Sequence, residues 1–148
     1  MNYSNLILDN ISFKSYKLNN LKVTTGTILG NRNFNNDIIK IDNIEDSYIF
    51  LLADGHGGNY ISKMVCNKIL YNYYKKFKFK NFKSVKKLYK IIDKNLYTDY
   101  YCKNLRREGS TLTTIIIEKD NIIAINLGDS NYIIRYNTKY IGYICIRA

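Results

Sequence analysis

The hydrophobic pattern changes period twice along the chain. Thr24 to Leu29 and Tyr48 to Ala53 are short runs of β-branched, aromatic and aliphatic residues bounded by Gly or Asp, and they predict strands. From about Asn59 the apolar positions fall at helical spacing, with Ile61, Met64, Val65 and Ile69 on one stripe and Tyr73 continuing it. A second helix follows, carrying Phe82, Val85, Leu88, Tyr89, Ile92 and Leu96 on one face and Lys83, Lys86, Lys87, Lys90 and Lys94 largely off it. Gly109 ends that region. Thr111 to Glu118, Ile122 to Leu127, Asn131 to Tyr136 and Tyr140 to Ile146 then predict four successive strands in hairpin style. Their turns fall at Lys119-Asp120-Asn121 and Asn137-Thr138-Lys139.

Strands, two consecutive helices and strands again predict an α+β layered fold; alternating βαβ units and a parallel sheet do not match this spacing. There is no internal repeat, Ser/Gly linker or Pro-rich stretch, so residues 1–148 read as a single domain, a length that suits one core.

The net charge of +11 is unevenly placed. Residues 75–94 hold nine lysines and one acid, Asp93, whereas the rest of the chain has fourteen basic and eleven acidic residues. Asn, Ile, Lys and Tyr supply 76 of the 148 residues, and Lys outnumbers Arg 18 to 5. All four have A+T-rich codons, which points to an A+T-rich genome, such as that of a large DNA virus or a parasite. The basicity is therefore a poor sign of a nucleic-acid partner. Most of the tyrosines fall in helix or strand patterns, and no nucleic-acid recognition motif is present.

No apolar run approaches the roughly 18 residues of a membrane span. The start, MNYSNLILDNISFK, has neither the basic opening nor the apolar stretch of a secretory signal. Cys66, Cys102 and Cys145 are odd in number and far apart, without a CxxC or Cys/His cluster, which argues against structural zinc and for a reduced, intracellular, cytoplasmic setting.

The segment Phe50-Leu51-Leu52-Ala53-Asp54-Gly55-His56-Gly57-Gly58 carries the candidate chemistry. A strand runs into an acid, the chain's one histidine and three glycines, and a helix begins at once. A carboxylate at a strand end can ligate a hard cation, glycines let backbone approach a ligand closely, and a histidine two residues on can move a proton near neutral pH. The same residues also fit a plain strand-to-helix turn in which Asp54 caps the helix and His56 is solvated. Two further segments weigh on the choice. Gly30-Asn31-Arg32-Asn33-Phe34-Asn35-Asn36-Asp37 carries an arginine and, five residues later, an aspartate, and Gly109-Ser110-Thr111 and Gly128-Asp129-Ser130 open and close a strand pair.

In this order the segments resemble the protein phosphatase 2C family of metal-dependent Ser/Thr phosphatases, over about residues 24–136. The resemblance implies a β-sandwich, here partial, with two helices packed on antiparallel sheet. It also implies a water between two Mg2+ or Mn2+ ions that attacks a phosphoserine or phosphothreonine in line. By position, Asp54 resembles the bridging metal ligand, the Gly55 carbonyl a further ligand and His56 the acid that protonates the leaving oxygen. Arg32 resembles the arginine that grips phosphate through its planar fork of donors. Asp37 falls on the second member of an acidic pair, and Asp129 on an aspartate that helps hold a weaker, additional metal.

Two departures bear on activity. Asn36 stands where the first acid of the pair is expected, and the resemblance also implies two metal-ligating aspartates from a C-terminal half that these 148 residues, matching the N-terminal half alone, do not reach. Weak metal binding, or one ion in place of two, is then expected, with little or no phosphatase activity by this chain alone. The alternative is a non-catalytic module that keeps Arg32 and the lysine-rich helix to bind a phosphoprotein or acidic partner. Half a sandwich also implies that the apolar faces of strands such as Leu112 to Ile117 and Tyr140 to Ile146 are partly uncovered. That suits a homodimer or a complementing C-terminal half.

Overall fold

The computed structural model describes residues 11–18, 21–75, 82–102, 108–118, 121–136, 139–141 and 145–146. These form two compact units, one ending at Asn35 and the other beginning at Asn36. In the first, β1 (Ile11–Leu18) and β2 (Leu21–Ile28) make an antiparallel hairpin with Ile11 opposite Ile28 and Leu18 opposite Leu21. Along β2, Leu21, Val23, Thr25 and Thr27 are half-buried and the intervening residues exposed, the period of two that a one-faced strand requires. The strand predicted at residues 24–29 lies largely within it.

The second unit runs through β3 (Ile38–Ile44), β4 (Ser47–Ala53), β5 (Gly55–His56), α1 (Tyr60–Lys75), α2 (Phe82–Cys102), β6 (Gly109–Ser110), β7 (Leu112–Glu118), β8 (Asn121–Leu127), β9 (Ile134–Tyr136), β10 (Lys139–Ile141) and β11 (Cys145–Ile146). Its main sheet has the order β11-β8-β7-β4-β3 and is antiparallel except where β11 meets β8. The α+β class is as predicted. β3 has no counterpart among the predicted strands, because Ile38, Ile39, Ile41 and Ile44 put apolar residues on both faces and blur the alternation.

Both helices pack on one face of this sheet. Ile61, Val65 and Ile69 from α1 and Val85, Leu88, Ile92 and Leu96 from α2 are buried with Ile49, Leu51, Ile116 and Ile125 of the strands. The predicted stripes therefore do face the core, and Lys83, Lys86, Lys87, Lys90 and Lys94 are exposed. The side chains of Tyr73 and Phe82 lie outside the described residues. Two polar contacts are buried here: the Tyr89 hydroxyl of α2 donates to Thr114 Oγ1 and ties helix to sheet, and the Thr113 hydroxyl donates to Asn126 Oδ1 at 2.6 Å across the β7–β8 pair. Each satisfies groups that would be costly to bury alone.

β7 and β8 form a predicted hairpin, and so do β9 and β10, which stand in a separate two-stranded sheet; β11 joins β8 in parallel with Cys145 opposite Asn126. The Gly128 turn takes the chain off the edge of β8, and β9 starts only at Ile134, too late for a tight return. The predicted turn residues Lys119, Asp120, Asn137 and Thr138 lie outside the described residues, as do residues 142–144 of the predicted last strand.

The expected uncovered apolar surface is also placed differently. On β7, Leu112, Thr114 and Ile116 are buried under the helices and Ile115 and Ile117 are half-buried. More exposed apolar positions lie on β3, β4 and β8: Ile39, Leu52 and Ile122, 37%, 37% and 54% exposed, on the sheet face away from the helices. The side chains of Tyr140 to Ile146 are not among those described.

Burial leaves two titratable groups protonated well above their usual range. Burial pushes the Cys66 thiol from its ordinary 9.0 up to about 11, with the nearby Lys40 charge opposing, and burial likewise raises the Tyr89 phenol. A folded-state pKa above the unfolded one gives stability that is intact below the unfolded value and lost as pH rises through the folded value. Stability in urea is thus expected to fall between about pH 9 and 11, and Cys66→Ala to lose less over that interval than the unmodified chain.

Candidate functional site

Strand β4 ends at the buried Ala53, and the next side chain, Asp54, is exposed. Beyond it the pairing resumes as a short bridge, Gly55 opposite Ser110 and His56 opposite Gly109. The interval is closed by one residue. Asp54 N–H donates to Thr111 Oγ1 at 3.0 Å, and Thr111 N–H donates to the Asp54 carbonyl at 2.9 Å. Thr111 Oγ1 also shares a hydrogen bond with Ser130 Oγ at 2.7 Å. A single threonine thereby joins the DGH, GST and GDS turns, which are far apart in sequence.

The GDS turn is shaped to accept this. Gly128 has φ of +100°, and a Cβ there would come within 2.8 Å of Thr111 Cγ2, so a side chain is excluded on both counts. Asn126 Nδ2 donates to the Gly128 carbonyl at 3.1 Å and holds the turn to the end of β8. At Gly109 the exclusion comes from His56, whose imidazole ring occupies the space a Cβ would take. The ring rests on bare backbone and stays exposed.

Glu108 was not legible as a site residue. Its Oε2 accepts from the backbone N–H groups of Tyr60 at 3.1 Å and Ile61 at 3.3 Å, the first turn of α1. Those donors have no partner within the helix, and a carboxylate there is also favoured by the helix dipole. The capping role that the sequence offered to Asp54 thus belongs to Glu108. The acceptor comes from 48 residues away, so no local capping pattern announces it. The one sequence sign is that α1 has no acid in its own first turn.

Around Gly55 the backbone is tightly enclosed: a Cβ would meet the Gly58 carbonyl at 2.7 Å, Ser62 Oγ at 2.9 Å and the Asn36 carbonyl at 3.0 Å. Ser62 Oγ donates to the Asn36 carbonyl at 2.9 Å. Asn36 Oδ1 is buried and meets no hydrogen-bond donor among the described residues.

Asp37, Asp54 and Asp129 are all exposed. Arg32 is exposed in the first unit, just after Gly30, and its N–H donates to the Leu29 carbonyl at 3.4 Å. The structure joins the DGH, GST and GDS turns through Thr111. It does not gather the predicted ligands into a metal cage, since among the described residues no three His, Cys, Asp or Glu side chains stand close enough to hold an ion. Asp54, the Gly55 carbonyl and the Asn36 amide oxygen offer one negative charge between them. These donors do not fit a centre of two divalent ions.

The sequence profile described as Protein phosphatase 2C matches residues 14–142. No curated protein sequence matches the chain. Among solved structures, the chain is similar to the Ser/Thr phosphatase Stp1 from Staphylococcus aureus, with TM-score 0.64 and 17% identity over 90% of this chain and 52% of that one. Two arginine-substituted variants of a bacterial serine phosphatase are also similar: TM-score 0.62, 17% identity, 88% of this chain and 58% of that one; and TM-score 0.64, 19% identity, 89% and 60%. At these identities the likeness is one of fold, and the chain spans between half and three-fifths of the length of these structures.

Thr111→Val removes the hydroxyl that both Asp54 N–H and Ser130 use, and is expected to cost ~1–2 kcal/mol in urea unfolding. Thr111→Ser should retain most of that stability.

Proposed function

The chain belongs to the protein phosphatase 2C family, and we propose that it binds phosphoserine or phosphothreonine of a protein at the Asp54-Gly55-His56 turn, with weak hydrolysis or none by this chain alone. The observation that carries this reading is the Thr111 joint, which brings the DGH, GST and GDS turns to one end of the sheet and leaves Asp54 and His56 exposed there. In this role His56 gives a proton to the leaving serine or threonine oxygen. Asp54, the Gly55 carbonyl and Asp37, with Asp129 as a further carboxylate, would hold at most one Mg2+ or Mn2+ ion, and weakly. Support for weak activity comes from the neutral Asn36 and, among the described residues, from the small number of carboxylates brought together.

The test combines metal binding with turnover. Calorimetric titration with Mn2+ should show weak binding, abolished in Asp54→Ala and strengthened roughly 10-fold or more in Asn36→Asp, since a second carboxylate offsets charge that an amide does not. Hydrolysis of a phosphothreonine peptide should be slow or undetectable in the unmodified chain. Brisk Mn2+-dependent turnover lost in Asp54→Ala would refute weak activity; failure to bind the phosphorylated peptide in preference to the unphosphorylated one would refute the site.

A second reading, a partner-binding module, draws on α2. Lys83, Lys87, Lys90 and Lys94 follow one another at spacings of three and four on its exposed side, with Lys86 beside them, and none has an ion-pair partner among the described residues. Such a stripe suits an acidic polypeptide. Changing these four lysines to glutamate is expected to abolish retention on immobilised poly-glutamate at about 0.15 M salt; unchanged retention would mark the stripe as a solvated helix face.

A further inference from the structure

A cleft of about 470 Å3 lies between α1, α2 and the ends of β7 and β8. Its inner walls are Val65, Ile69, Ile92, Leu96 and Leu112, all buried, and its rim includes His56, Gly109 and Ser110. Tyr97, 67% exposed, stands at the outer edge. Volumes of a few hundred cubic ångströms with apolar walls and a few polar groups are typical of ligand pockets. The cleft is roughly three times the ~150 Å3 cavity that accepts benzene, too large for an ordinary packing void in a close-packed interior.

Deep in the cleft the polar groups are already occupied: Glu108 accepts from the first turn of α1, the Tyr89 hydroxyl donates to Thr114 and the Ser110 hydroxyl donates to the Thr111 carbonyl. What remains for an occupant is aliphatic contact with the buried walls and, among the exposed lining residues, Asp93, Tyr97 and the imidazole of His56. The same histidine therefore borders both the phosphate-handling turn and the apolar cleft, through its seat on Gly109.

We infer that this cleft is a specificity pocket that receives a bulky aliphatic or aromatic side chain next to the phosphorylated serine or threonine. The inference rests on the phosphomonoester reading of the DGH turn. With the phosphorylated residue at His56, its neighbour in the chain is the nearest part of the substrate to the rim. A leucine or phenylalanine there loses water to the apolar walls, whereas glycine gains nothing. The difference per methylene in an apolar pocket is commonly 10-fold or more.

The test uses phosphothreonine peptides with leucine on either side of the phosphorylated residue, the matching glycine peptides, and all of these unphosphorylated. Binding to the full chain is followed by fluorescence anisotropy. A leucine phosphopeptide is expected to bind at least ~10-fold more tightly than its glycine counterpart. Val65→Phe, which fills the cleft, should erase that preference and leave phosphate-dependent binding in place. Its folding is checked by thermal melting, and Tyr97→Ala at the exposed edge, which does not threaten the core, should weaken the preference in the same direction. Equal binding of leucine and glycine phosphopeptides overturns the pocket and leaves the phosphate site standing. Absence of any preference for phosphorylated over unphosphorylated peptide overturns the phosphate site, and with it this inference.

Discussion

The antiparallel pairing of β4 with β7 at the middle of the main sheet is the constraint on which the site depends. It sets Leu51 opposite Thr114 and Leu52 opposite Thr113, and the same register continues past the sheet edge into the two hydrogen bonds between Asp54 and Thr111. A slip of one residue would exchange the two faces of the strand. Ile49, Leu51 and Ala53 would then leave the core, and Asp54 would lose its partner. Core packing and site geometry are thus enforced by one register, so the exposed chemistry at the strand end rests on the best-buried part of the molecule.

From that joint the helices follow. α1 begins directly after the DGHGG turn, and Glu108, just ahead of the GST segment, caps it from across the sequence. The loop that carries His56 is therefore held at both ends, by the β5–β6 bridge on one side and by the capped helix on the other. Small residues are required where these parts meet: Gly109 under the imidazole and Gly128 against Thr111. Among the described residues, one buried side-chain oxygen, Asn36 Oδ1, is left without a partner by this arrangement.

The match over residues 14–142 places the chain in the protein phosphatase 2C family, and at position 36 it carries a neutral amide, which offsets less of a dication's charge than a carboxylate does. The lysines of α2 show a related distinction. They are abundant through composition, yet the amphipathic period puts them on one exposed stripe, and position rather than number gives them any meaning for a partner.

The two helices, their buried faces, the strands at residues 48–53, 112–118 and 121–127, and the candidate turns were all legible in the sequence, because period and turn chemistry are local properties. β3 was hidden by isoleucines on both faces, and the separation of the β9–β10 hairpin from the main sheet and the parallel seat of β11 on β8 were not legible, because strand partners are chosen by three-dimensional proximity. Asp54, His56 and Gly128 could be picked out by residue type and spacing. That one threonine binds three of the turns together, that Glu108 supplies the helix cap, and that His56 overlooks an apolar cleft were decided only by the tertiary structure. Each is a contact between segments distant in the chain, and the energy of such a contact depends on distance and burial, which spacing along a sequence does not encode.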